Sequence, residues 1–293
     1  TGDDDDSTPP IFDCATAPST ALSDTILPGA RGDHGLAIDA FGTIVGSDGA
    51  SLIRSTYAGA WSVFVPGFGS LQQLDYLPNG DLAVADDTNG AITRVTPAGG
   101  QSVIAPDLYA YGVRVGPDGM IYTAGSGVVS RVNPATGAVT PLATLEDDEP
   151  HSLDFSPSFD RLYVGTISWD LGRVWMLNLD ANLNPVGPIQ SFAYPVGEGW
   201  HDAVAVDACG YLYIPDYWTS QLFRVSPSGV AQVFLDWSND PSGYGHGAIF
   251  GNGIGGFRQD ALYLPMPYNG NTVKEVVVGV PGRQWMGTVI NAP

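Results

Sequence analysis

Short apolar runs, most of them closed by a glycine turn, recur along the chain in a fixed order. The runs His34-Gly-Leu-Ala-Ile-Asp-Ala-Phe-Gly42, Tyr111-Gly-Val-Arg-Val-Gly-Pro-Asp-Gly119 and Asp202-Ala-Val-Ala-Val-Asp-Ala-Cys-Gly210 align in register. The module opens at His34, Gln72, Tyr111, His151, Asp202 and His246, at steps of about 40 residues. A second run follows each turn, as in Arg161-Leu-Tyr-Val164 and Ala261-Leu-Tyr-Leu264, then a third (Ala91–Val95, Gln221–Val225) and a fourth (Trp61–Val65, Ala231–Leu235). Four strands in about 40 residues make one propeller blade, so the pattern predicts an all-β, six-bladed β-propeller of four-stranded blades. The segment Thr25-Ile-Leu-Pro-Gly29 precedes His34 as Val63-Phe-Val-Pro-Gly67 precedes Gln72. It therefore reads as a fourth strand without a blade of its own, free to complete the last blade and close the ring.

Composition narrows the class. The 293 residues are 44% hydrophobic, with 38 Gly and 23 Pro to supply turns. They are expected to form one domain over residues 11–293, a monomer, behind a disordered acidic tail over residues 1–10. A formal charge of -20 repels phosphate backbones and anionic headgroups, which excludes nucleic acid as a partner. No apolar stretch is long enough for a transmembrane segment. The chain reads as a mature protein, and its Asp3-to-Asp6 tail resembles the spacer behind the lipidated cysteine of bacterial lipoproteins, which would put a lipid anchor upstream of residue 1. Strand order places Cys14 on the face that carries the first-turn Cys209, so a Cys14–Cys209 disulfide is expected. That pairing fits an extracellular, periplasmic or cell-surface location for a bacterial secreted protein or lipoprotein, with two buried thiols as the cytosolic alternative.

The strings Asp207-Ala-Cys-Gly-Tyr-Leu-Tyr213 and Phe155-Ser-Pro157, within blades of this length, resemble the NHL-repeat and senescence-marker-protein/gluconolactonase superfamily of six-bladed propellers over nearly the whole chain. The resemblance implies a divalent cation at the channel mouth, held by Glu, Asn and Asp from the starts of inner strands. Here His34 stands where the glutamate is expected, His151 where the asparagine is and Asp202 where the aspartate is; Tyr111 and His246 occupy further starts.

Three of the four histidines thus share one register position, and His201 is its neighbour. The candidate metal ligands are His34, His151, His201, Asp202 and His246. Imidazoles in place of oxygen donors shift preference from Ca²⁺ or Mg²⁺ toward a transition metal ion, zinc foremost, then copper or iron. The competing interpretation is four structural histidines. Strand alternation would point the first residue the same way as the apolar ones two and four further on, so the starting residue must escape that pattern.

Three residues along, Arg114 is flanked on adjacent blades by Asp75 and Asp154, a charge triad that either stabilises the channel wall or clamps a substrate carboxylate. Loops on the upper face gather Tyr109, Trp169, Asp170, Trp200, Asp216, Tyr217, Trp218, Trp237, Tyr244 and Tyr268 into an aromatic, acidic rim suited to a small-molecule ligand. Glu146-Asp-Asp-Glu149 reads as a solvated turn.

Three functions fit. A metal-dependent hydrolase of the lactonase or esterase type would use Asp202 or Tyr111 as acid–base groups, with Arg114 as a further candidate catalytic residue. A non-catalytic extracellular binding propeller would carry a structural metal. A zinc lyase resembling peptidyl-hydroxyglycine amidating lyase would use Tyr111 and Arg114, although the histidines fall here on the contiguous fourth, fifth, sixth and first blades. A serine hydrolase is disfavoured by the lack of a Gly-x-Ser-x-Gly elbow.

Overall fold

Each apolar run becomes a strand, and the turns between them are built by a repeated device. Asp39 Oδ1 accepts from the Phe41 and Thr43 amides at 2.9 and 2.8 Å, and Asp207 Oδ1 accepts from those of Cys209 and Tyr211, both at 2.9 Å. The glycines that follow, Gly42, Gly119 and Gly210, have φ of 76°, 73° and 80°, which is why the repeat ends its first turn in glycine.

A computed structural model describes residues 12–240 and 244–283, so the acidic tail lies outside the described residues. Six antiparallel sheets of four strands each form a β-propeller. From the channel outward the first blade runs Leu36–Ile38, Thr43–Asp48, Ser51–Thr56 and Trp61–Pro66. The inner strands of blades two to six are Leu71–Tyr76, Gly112–Val115, Glu149–Phe155, Ala205–Val206 and Ile249–Phe250. We call the end of the channel where these strands begin its upper mouth.

Second strands such as Leu82–Asp86, Ile121–Gly125, Leu212–Asp216 and Ala261–Met266 are buried along their whole length, because each lies between two neighbouring blades. The core is therefore a ring of inter-blade layers, for example Val45, Leu52, Leu74 and Val84 between blades one and two, and Tyr122, Phe155 and Leu162 between blades three and four.

The N-terminal strand Ser23–Arg31 pairs with Thr272–Val277 as the outermost strand of the sixth blade, so the closure expected from the sequence is the one observed. Asp24 on that strand takes the Trp237 indole N–H at 2.6 Å and the Lys274 ammonium at 3.4 Å. Cys14 and Cys209 are joined, with Cα atoms 5.6 Å apart, tying the segment before the closing strand to the first turn of blade five.

Candidate functional site at the upper mouth

The alternation problem posed by the sequence is solved by where the ladders start. His34, Asp202 and His246 lie two, three and three residues before the first ladder residue of their inner strands, Leu36, Ala205 and Ile249. His151 lies inside its strand, but the register shifts between Pro150 and Ser152, so His151 is the bulged residue. A bulge re-aims its side chain without breaking the strand. The same irregularity between Leu71 and Leu74 frees Gln72 and Gln73 in blade two.

Asp202 is the centre of the group and 4% exposed. Its Oδ1 accepts from the Trp200 indole N–H at 2.7 Å and lies 2.9 Å from His151 Nε2, while Oδ2 is 3.4 Å from His246 Nδ1. His34 and His246 meet edge to face with centroids 4.8 Å apart, and the Tyr111 ring lies 4.1 Å from that of His151. His34 is fixed by its neighbour Asp33, which accepts from the His34 amide at 2.7 Å and from the Ser47 hydroxyl.

Burial alone would raise the Asp202 carboxyl, but the His151 contact and the nearby His246 and His34 outweigh it and hold the group below its usual range. Burial raises the Asp33 carboxyl too, and the His34 and Ser47 hydrogen bonds override it, leaving a pKa of about 2. His34 is correspondingly raised, since Asp33 and Asp202 overcome its desolvation. His246 is lowered, chiefly by burial.

Among the described residues, several polar atoms here are buried without a well-formed hydrogen bond: Asp202 Oδ2 and His246 Nδ1, which stand 3.4 Å apart, His34 Nδ1, 3.5 Å from Asp33 Oδ1, His151 Nδ1 and His246 Nε2. Buried polar atoms left in this way call for an explanation. Among the described residues, however, no three His, Cys, Asp or Glu side chains converge so as to hold a metal ion as placed.

Two of the candidate residues are not brought to this group. His201, fully buried, turns away from the channel; its Nε2 lies 2.8 Å from the Val196 carbonyl and its backbone bridges Asp216. Successive residues of extended backbone face opposite sides, so the neighbour of an inward Asp202 faces out. Arg114 sits three residues below Tyr111, about 10 Å down the channel, beneath a barrier formed by Gln73. Gln73 reaches across from blade two to donate to the Asp202 carbonyl on blade five, and its Oε1 accepts from the Val113 amide at 3.4 Å. The sequence reading missed Gln73 and Asp33; their only signals are the paired glutamines at a strand start and an acid directly before His34.

The rim is partly as expected. Tyr217 packs against Trp200, Trp218, Tyr244, Tyr268 and His246 with centroids 5.2 to 5.9 Å apart, while Trp169 is 90% exposed. Trp237 instead is buried beside the closing strand, and Asp216 is buried as a loop anchor accepting the Trp200 and Trp218 amides. The acidic turn before His151 is also pinned, since Asp148 accepts the Trp175 indole N–H at 2.8 Å.

No known protein-family profile matches the chain, and no curated protein sequence matches it. Its fold is shared with gluconolactonase-like six-bladed propellers. A gluconolactonase from Xanthomonas campestris superposes with a TM-score of 0.74 at 18% identity, over 92% of this chain and 94% of that one. The calcium-binding protein regucalcin from Agrobacterium tumefaciens gives 0.69 at 18%, over 89% and 95%. An auxiliary nutrient binding protein from Bacteroides thetaiotaomicron gives 0.66 at 13%, over 88% and 76%.

Proposed function

We propose that this protein is a hydrolase of the lactonase or esterase type, working outside the cytoplasm at the upper mouth with a transition metal, zinc foremost. The supporting observation is the set of buried, unpartnered nitrogen and oxygen atoms of His34, His151, His246 and Asp202. Imidazole nitrogens with one carboxylate oxygen suit zinc better than calcium, so the donor chemistry fits, and these four residues would hold the ion. The assignment rests on their unpartnered atoms, since the side chains as placed form no closed sphere. Such an ion, when bound, polarises a carbonyl and acidifies water.

The chain's own groups do the rest. Asp202 stays ionised and, oriented by Trp200, fixes the His151 ring through Nε2, which leaves Nδ1 as the nitrogen that imidazole would offer to the ion. Tyr111, on the face of His151, offers a hydroxyl donor to a developing oxyanion. Tyr217, Tyr268 and Trp218 give an apolar wall for the body of a ring-bearing ester. The gluconolactonase fold likeness favours this reaction class, and the disulfide favours an oxidising compartment.

A binding module is the second reading, favoured by the closely packed aromatic cluster and by the nutrient-binding propeller of the same fold. Metal content of tag-free protein, by plasma mass spectrometry, and hydrolysis of a lactone and ester panel decide between them. Near-stoichiometric zinc, lost together with hydrolysis in His34→Ala/His246→Ala, is the expected result. Metal-free protein that still hydrolyses would leave a His151–Asp202 acid–base site without metal, and metal-free inert protein would leave the binding module.

A further inference from the structure

Below Gln73 the channel widens into a cavity of about 600 Å³ that opens on the lower face and is walled by Leu36, Ile38, Leu77, Val115 and Ile249. Between it and the histidine group, among the described residues, lies a void of about 10 Å³ bordered by His34, Gln73 and Arg114, too small to join the two ends into one cavity for an organic ligand. The inner end of the cavity carries Asp75, Asp154, Arg114 and Arg283. In a chain with 11 basic residues against 31 acidic ones, two guanidiniums meeting there is a marked local reversal.

The carboxylates are fully used. Asp154 accepts from the Phe155 amide at 2.9 Å, the Val206 amide at 3.0 Å and Arg283 Nη2 at 2.6 Å; Asp75 accepts from the Tyr76 and Val115 amides, both at 2.8 Å. Arg114 is not. Its Nη2 donates to the Ala248 carbonyl at 3.3 Å, its Nε stands 3.6 Å from Asp154 Oδ1, and its Nη1 has no hydrogen-bond partner among the described residues. A guanidinium has five N–H donors in a fork matched to a carboxylate, and here one long hydrogen bond uses them. Burial pushes the Asp75 carboxyl up, against the pull of Arg114 and of the Val115 and Tyr76 amides.

We propose that the lower cavity is a second binding site, for a small organic monocarboxylate whose carboxylate engages Arg114 and whose apolar body lies against Leu36, Ile38, Leu77 and Ile249. The volume lies within the roughly 300–1,000 Å³ of small-molecule pockets. A doubly charged phosphate would be repelled by Asp154 and Asp75 more strongly than a single carboxylate is, and a neutral polyol would give the Arg114 fork no charge-assisted hydrogen bond; a single carboxylate limits both costs.

The test is isothermal titration calorimetry with hexanoate, benzoate and phenylacetate, each paired with its amide. At least one acid should bind with one-site stoichiometry and at least ten-fold tighter than its amide. Arg114→Gln should weaken it at least ten-fold, and Ala40→Trp, which fills the cavity mouth while leaving the guanidinium in place, should do the same even if the arginine variant fails to fold. His34→Ala/His246→Ala should leave the affinity unchanged, which separates this site from the metal and hydrolysis readouts of the upper mouth. The proposal is overturned if no acid binds, if amides bind equally well, if Ala40→Trp binds normally, or if the double histidine variant loses binding.

Discussion

Cutting the Cys14–Cys209 bridge with Cys14→Ser/Cys209→Ser should cost stability without opening the ring. The bridge closes a loop 195 residues long, and the chain-entropy relation gives about 5 kcal/mol for a loop of that length. Residual structure in the unfolded chain reduces that figure, so the expected loss is roughly 2–4 kcal/mol. For a chain of this size the corresponding fall in Tm is about 3–7 °C. The folded ring should survive, because the closing strand keeps its ladder to Thr272–Val277 and the Asp24 contacts to Trp237 and Lys274. Guanidinium unfolding followed by circular dichroism, on oxidised wild type, reduced wild type and the variant, measures the effect. Reduced wild type and variant should coincide. A loss under about 0.5 kcal/mol, or a variant that unfolds while reduced wild type does not, would refute the reasoning.

Three further outcomes follow from local contacts. Gly172→Ala would put a Cβ 1.8 Å from the Val196 carbonyl oxygen and 2.6 Å from His201 Nε2; because the backbone cannot yield, it should cost roughly 3 kcal/mol in denaturant unfolding, and a neutral result would mean that His201 does not pack there. Asp207 is pushed up to about 6 by burial, above its usual 3.8, so the stability it contributes is full below about 4 and lost as pH rises through about 6. Wild type should gain up to about 3 kcal/mol on that account between pH 8 and 4 relative to Asp207→Asn, and parallel stability-versus-pH curves would contradict this. Asp202→Ala strands the Trp200 indole N–H and His151 Nε2 in a buried place and should cost about 3 kcal/mol, read as a drop in Tm; an unchanged Tm would show that Asp202 is not their anchor.

The blades were legible because a tight first turn, ending in glycine in most blades, recurs at steps of 38 to 51 residues, and because a fourth strand with no blade of its own, here Ser23–Arg31, has only one place to go. The site was legible only to the level of register. That three histidines share a position says they approach one axis; whether their rings face it depends on the bulge at His151 and on the loops that delay the ladder at His34 and His246. The same limit explains His201 and Asp202: of two adjacent residues one faces the channel, and spacing does not say which. Arg114 and Gln73 show a second limit. Depth along an inner strand is countable, but the reach of a glutamine from blade two to a carbonyl on blade five depends on the channel's width, which belongs to the closed ring.

The electrostatics of the upper mouth follow from having few charges near three largely buried imidazoles. Asp202 and Asp33 are the acids in contact with the group, both are held below their ordinary range, and His34 is raised in answer. His246, facing the same carboxylate, is lowered because burial outweighs the attraction and His34 and His151 oppose a further positive charge. Two like groups 4.8 Å apart are thereby pushed in opposite directions, one toward imidazolium and one toward neutral imidazole. Pairs separated in this way are how a single site supplies both a proton donor and a base at one pH. A ring of histidines serving only to pack would gain nothing from that separation, and edge-to-face apolar rings at the same positions would avoid its desolvation cost. In the proposed metal site a raised His34 must give up its proton before it can hold an ion, so metal binding at the mouth should weaken as pH falls.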